Sequence, residues 1–172
     1  MSWEAIIREE TPDDIPAVAE VHVAAFGRGA EAALVMQLRS DDAIIVSIVA
    51  IVNGHVVGNA IFSKLTIRMR DGREETAVGL APVAVMPSFQ RHGLGRRIIE
   101  AGLSLCAKHG YRSAFVLGDP TYYRRFGFSV GATTTLESRY KGSHWMAKEL
   151  VSGALDGLIG AVEYPRAFVV VD

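Results

Sequence analysis

The stretch Val83-Ala84-Val85-Met86-Pro87-Ser88-Phe89-Gln90-Arg91-His92-Gly93-Leu94-Gly95-Arg96-Arg97 decides how this 172-residue chain is read. An apolar run ends, a short loop follows, and Gly93 and Gly95 stand at the mouth of a long helical pattern. The first turn of a helix has unpaired N–H groups and a partial positive charge. Glycines there let an anion approach the backbone closely, so the loop suits a pyrophosphate. Arg91, Arg96 and Arg97 can add charge-assisted contacts. Taken alone, Gly-x-Gly at a helix start is also an ordinary turn. A dinucleotide fingerprint would want a third glycine where Ile98 stands. No Lys-Ser/Thr follows the glycines, which excludes a Walker A loop.

Downstream, Gly93–His109 has helical spacing, with Leu94, Ile98, Ala101, Gly102 and Leu105 in one stripe and Gly110 as the stop. Ala114–Leu117 reads as a short buried strand, and Thr121–Phe126 as a short helix ending at Gly127. Trp145–Leu150 and Phe168–Val171 are further strand candidates. Upstream, Ala5–Arg8 is a first strand. Thr11-Pro12-Asp13-Asp14 starts a helix that carries Ile15, Val18, His22 and Phe26 on its apolar side. Gly27-Arg28-Gly29 breaks it, and Glu31–Leu38 restarts it. Ile44–Val52 and Val56–Leu65 flank Asn53-Gly54, a strong hairpin signal. Asp71-Gly72 turns into Glu74–Val85, completing an antiparallel meander. Proline cannot donate to a ladder, so the third strand is bulged or unpaired near Pro82. This order predicts an α/β (α+β) class with a mixed sheet.

Length and composition set the bounds. The chain fits one domain over residues 1–172. Hydrophobic residues make up 49%, enough for a packed core. A net charge of −1 gives no global field for nucleic acid or an anionic membrane. The single cysteine, Cys106, cannot form an internal disulfide and reads as core packing within its helix. No signal peptide is seen, so a cytoplasmic location is expected. The five histidines lack metal-ligand spacing, so no metal is expected.

Gln90-Arg91-His92-Gly93-Leu94-Gly95 resembles the signature Q/R-x-x-G-x-G/A of the GNAT superfamily of acyl-CoA-dependent N-acyltransferases. Tyr122-Tyr123-Arg124-Arg125-Phe126-Gly127-Phe128 is similar to that family's second motif. The stretch from Gly118 to Phe128 also resembles a bacterial branch of predicted small acetyltransferases. The resemblance implies a mostly antiparallel sheet of six to seven strands, flanked by helices and splayed between strands 4 and 5. It implies acetyl-CoA as co-substrate and a small-molecule or protein amine as acceptor. Val83, Ala84 and Val85 would lie along the pantetheine, with Val83 and Val85 pairing with its amides. Gln90, Arg91, His92, Gly93, Leu94, Gly95 and Arg96 would form the pyrophosphate cradle.

Tyr123 matches the family's general-acid position; a packing role is the alternative. Tyr122 is expected as packing or a cofactor contact. Many relatives carry a glutamate on the fourth strand near the bulge, but Gly79-Leu80-Ala81-Pro82 has no carboxylate. Asp119 is the first candidate base, against capping of the helix at Pro120, and Glu31 is the second. Arg124 and Arg125 could reach a 3′-phosphate or face solvent. Arg28–Ser40 and Thr133–Tyr164 would set specificity, and the tail's Glu137, Arg139, Tyr140, His144 and Trp145 suggest a polar acceptor. The apolar tail strands leave room for a homodimer. Two other readings stay open: an acyl-CoA-binding regulatory module of the same fold, and a nucleotide-binding protein using the glycine loop for another phosphate.

Overall fold

The computed structural model describes residues 4–170, without side-chain detail for Val170. Strand β1 (Ala5–Glu9) leads through a 3-10 turn at Pro12–Asp14 into α1 (Ile15–Phe26). The Asp14 carboxylate holds this entry together. It accepts from the Arg8 guanidinium at 2.7 and 3.1 Å and from the Thr11 N–H at 2.7 Å. Gly27, at φ +68, ends α1, and α2 runs Ala30–Ser40.

Strands β2 (Ile44–Val52), β3 (His55–Met69) and β4 (Glu74–Val85) form the expected meander. Asn53 and Gly54 both have positive φ (50° and 79°), as a two-residue hairpin turn requires. Helix α3 (Leu94–Lys108), β5 (Ser113–Leu117) and α4 (Pro120–Tyr123) follow, with a 3-10 turn at Arg124–Phe126. Then come β6 (Leu136–Glu137), β7 (Trp145–Glu149) and β8 (Gly160–Glu163).

All eight strands join one sheet, in the order β1-β2-β3-β4-β5-β7, with β8 beside the end of β3 and β6 beside β8. The strand count exceeds the sequence expectation because of two short strands, β6 and β8. Phe168–Val171, expected as a strand, is not one over its described residues. Arg166–Val170 forms a 3-10 helix, with the Phe168 N–H donating to the Pro165 carbonyl at 3.1 Å; Val171 lies outside the described residues. The edge beside Thr66–Met69 is filled by β8 instead.

The meander is buried on both faces, and its period-2 alternation divides the core. Ile48, Ala50 and Val52 face Leu94, Ile98 and Cys106 of α3. Val49 and Ile51 face Val18 of α1 and Leu34 and Leu38 of α2, where Phe168 also packs. A Cβ at Gly102 would stand 2.0 Å from the Phe62 ring, so this glycine lets α3 lie down on the sheet. Cys106 is fully buried, and burial pushes its thiol up to about 12.

Candidate active site

The site begins where β4 loses its neighbours. Residues Phe62 and Ala60 of β3 pair with Leu80 and Val83, leaving Ala81 and Pro82 opposite the single residue Ile61. This is the bulge expected from Pro82, and the Ala81–Pro82 peptide is cis. On the other side, β5 runs parallel to β4 only from Val78↔Ala114 to Leu80↔Val116. Beyond Leu80 the β4 edge is open, as expected for a sheet splayed between these strands.

Which groups face that opening follows from ladder alternation. The Met86 N–H donates to the Val57 carbonyl at 2.8 Å. With Asn59 opposite Ala84, the next hydrogen-bonded pair is Asn59–Ala84. The amides of Val83 and Val85 therefore point away from β3, toward the gap. The Val85 carbonyl accepts there from the Gln90 side chain at 2.9 Å, which ties the following loop to the strand end. Ala84 is buried and its backbone is committed to β3, so it does not line the gap.

The loop then delivers the helix start. Arg91 (φ +65) and Gly93 (φ +83) are both left-handed, a conformation that only glycine adopts without strain. The Arg97 N–H donates to the Gly93 carbonyl at 3.1 Å. The N–H groups of Leu94, Gly95 and Arg96 precede that first helical bond. At Gly95 the constraint is packing: a Cβ there would stand 3.3 Å from the Tyr122 hydroxyl, a tight contact. A cavity of about 610 Å³ fills this angle between β4, the loop and α4. Gln90, Arg91, Gly93, Leu94, Gly95 and Arg96 line it, together with Val83 and Val85. Of the expected coenzyme-binding residues, His92 of the cradle and Ala84 of the strand are outside its wall. Arg125 lines it and Arg124 does not. The Arg125 guanidinium sits 4.4 Å above the Tyr122 ring and its Nε donates to the Tyr122 carbonyl at 2.8 Å. Phe89, which sequence reasoning passed over, also lines the cavity.

A second cavity, of about 400 Å³, lies on the other side of β4. Val83 and Tyr123 belong to both walls, so the two cavities meet at the bulge. The second is lined by Pro82, Leu80 and Leu117, and by an aromatic wall of Tyr140, Tyr164 and Phe168. Phe26, Arg28, Glu31 and Leu34 close it from α1, the turn after it and α2. Glu31 is 5% exposed, and its carboxylate accepts from Arg28 Nε at 2.7 Å. Glu137, Arg139 and His144 are not in this wall, and Trp145 is buried behind it. The lining is aromatic, not the polar surface that the tail's composition suggested. Phe26, Leu117 and Phe168 were not site candidates in the sequence, because three distant segments bring them together.

Tyr123 packs edge-on against Tyr122 and Phe128, with ring centroids at 5.0 and 6.1 Å. Burial pushes its hydroxyl up to about 12, so it stays a proton donor at neutral pH. A Cβ at Gly118 would stand 2.5 Å from the Tyr123 ring, so this glycine makes room for it. Asp119 is exposed and outside both cavities; its carboxylate accepts from the Thr121 N–H at 2.9 Å and caps α4. Glu31, the second sequence candidate, is the carboxylate that lines the second cavity. Among the described residues no group of three or more His, Cys, Asp or Glu could hold a metal ion. Among them also, no helix is long and apolar enough to cross a membrane.

Residues 6–131 match the family model for the acetyltransferase (GNAT) domain. The chain is 36% identical over 166 residues to a protein of Escherichia coli (strain K12) named uncharacterized N-acetyltransferase YhbS, covering 95% of this chain and 98% of that one. A crystal structure of Escherichia coli YhbS in complex with CoA superimposes with a TM-score of 0.90 at 35% identity, over 98% of this chain and 94% of that one. A GNAT family acetyltransferase from Brucella melitensis, crystallised with acetyl-CoA, gives a TM-score of 0.80 at 32% identity, over 96% and 98% of the two chains.

Proposed function

Because the chain belongs to the GNAT acetyltransferase family, we propose that it is a one-domain enzyme, over residues 1–172, that transfers the acetyl group of acetyl-CoA to a primary amine. One observation carries this reading: two cavities meet at the β4 bulge, and Val83 and Tyr123 border both. One cavity has the features of a coenzyme cradle. The Val85 N–H and the Val83 carbonyl, both on the open edge, would take the pantetheine as an extra strand, and Gln90–Arg96 would take the pyrophosphate. The relatives named above were crystallised with CoA and acetyl-CoA.

The amine enters from the second cavity and attacks the thioester carbonyl carbon. A C–N bond forms, giving a tetrahedral intermediate, and collapse of that intermediate breaks the C–S bond. The Val83 N–H, aimed into the gap, is placed to stabilise the oxyanion. The leaving thiolate takes a proton from the Tyr123 hydroxyl. The nitrogen loses one proton, and Glu31 is the carboxylate placed to receive it. Glu31 then releases its proton to solvent and Tyr123 regains one from solvent, which closes the balance from free amine and acetyl-CoA to amide and free CoA. Asp119, exposed and outside both cavities, takes no part.

The absence of a carboxylate at Gly79–Pro82 favours a second reading, an acyl-CoA sensor without catalysis. Thiol release from acetyl-CoA with a mixed amine pool separates the two, with mass detection of the acetylated amine. Buried Cys106 gives no background with thiol reagents in the native protein. Release of CoA with a matching acetylated product supports the enzyme. Bound acetyl-CoA with no product from any amine would leave only the sensor.

A further inference from the structure

The acceptor-side cavity has one polar pole and one aromatic wall. Only Arg28 and Glu31 among its lining residues carry charge, and they are paired with each other at 2.7 Å. A polycation such as a polyamine or aminoglycoside needs several free carboxylates, and this wall offers one that is already shared. The aromatic wall is rigid before any ligand arrives. Tyr140 meets Tyr164 edge-on at 4.7 Å, and Tyr164 meets Phe168 edge-on at 5.5 Å. The Trp145 indole N–H donates to the Tyr164 hydroxyl at 3.0 Å and fixes that ring. Across the opening, Phe26 is 42% exposed and Leu117 48% exposed. Large apolar side chains held in water beside an aromatic slot are what an apolar ligand would cover. The volume, about 400 Å³, suits one ring system with a short arm.

Resting on the acetyltransferase reading above, we propose that the acceptor is an arylalkylamine: a primary amine on a short alkyl arm from an aromatic ring. The ring lies against Tyr140, Tyr164 and Phe168, under Phe26 and Leu117. The arm brings the nitrogen past Glu31 to the bulge at Val83. Burying a ring the size of a phenylalanine side chain raises kcat/KM by about ten- to a hundred-fold over an alkylamine of equal arm length.

The test compares 2-phenylethylamine, tyramine and tryptamine with ethylamine, spermidine and kanamycin, reading CoA release and product mass. An acetyl-CoA thermal-shift measurement runs alongside. The expected result is a ten- to hundred-fold preference for the aryl amines, roughly the worth of the buried ring. Leu117→Glu puts a second carboxylate at the mouth. It should raise KM for 2-phenylethylamine about ten-fold and narrow the gap to spermidine. Faster turnover of spermidine or kanamycin, equal rates for ethylamine and the aryl amines, or no acetylation of any aryl amine overturns the inference. Those results, with acetyl-CoA still bound, leave the coenzyme assignment intact. Absence of the acetyl-CoA shift removes that assignment, and this inference with it.

Discussion

Tyr123→Phe removes one oxygen and leaves the ring where it is. The ring keeps its contacts with Tyr122, Phe126 and Phe128. No hydrogen bond from the protein reaches the hydroxyl among the described residues, so no partner is stranded. Folding stability should therefore change by less than about 1 kcal/mol. Turnover should not be spared. The phenol is held protonated by a pKa of about 12, and without it the CoA thiolate leaves with no donor. General-acid assistance is worth about a hundred- to ten-thousand-fold, so kcat should fall within that range. The acetyl-CoA-induced thermal shift should be retained. The pH profile supplies a further check. A group that titrates near 12 adds no limb between pH 6 and 9, so parent and variant profiles should have the same shape there. Steady-state kinetics of CoA release measures both. A kcat within two-fold of the parent would remove Tyr123 from the mechanism.

Other expectations concern the acceptor side and the scaffold. Glu31→Gln should lower kcat/KM for the amine by about a hundred-fold, the worth of a positioned base, while leaving the acetyl-CoA thermal shift unchanged; unaltered kinetics would dismiss Glu31 as proton acceptor. Gly102→Ala places a Cβ 2.0 Å from the Phe62 ring. It should cost about 1–3 kcal/mol in overpacking, despite alanine's better helix propensity; a raised Tm would contradict the packing argument. The Arg8 guanidinium holds the Asp14 carboxyl down at about 2. A depressed carboxylate pKa stabilises the fold above the ordinary value near 4, and that gain is lost as pH falls through the folded value. With Arg8 39% exposed, Asp14→Asn should cost about 1–2 kcal/mol at pH 7, discounted for solvent screening. The gap in denaturant midpoint should close toward pH 2, and a constant gap would assign the effect to something other than charge.

The legible parts of this chain are those with local signals. Helix α3 follows from one apolar stripe and Gly110, and the β2–β3 hairpin follows from Asn53-Gly54 between β-branched runs. Pro82 announced the bulge because a residue without an N–H cannot continue a ladder. The tail was harder. Phe168–Val171 has strand composition, but Phe168 packs beside α1 and α2. The sheet edge goes to β8, whose four residues include Gly160. A Cβ at Gly160 would stand 2.2 Å from the Arg68 carbonyl oxygen, so backbone proximity rather than composition selects that glycine. The cradle is nearly continuous in sequence and was mostly readable; Ala84 and His92 fell outside because strand alternation and loop geometry decide orientation. The acceptor-side cavity gathers residues from Phe26 to Phe168, and no local pattern encodes such an assembly. Asp119 showed both a base's position and a cap's chemistry, and only the Thr121 N–H contact separates the two.

The central claim is that the angle between the open β4 edge and the start of α3 holds acetyl-CoA. Thermal unfolding with acetyl-CoA, against ATP and NAD as controls, addresses it most directly. At ligand a hundred-fold above Kd, binding adds about 2.7 kcal/mol. For a chain of this length that is a Tm rise of very roughly 5–10 °C. The account predicts that rise with acetyl-CoA and none with ATP or NAD. No rise with acetyl-CoA, or a rise with a nucleotide control instead, would contradict it.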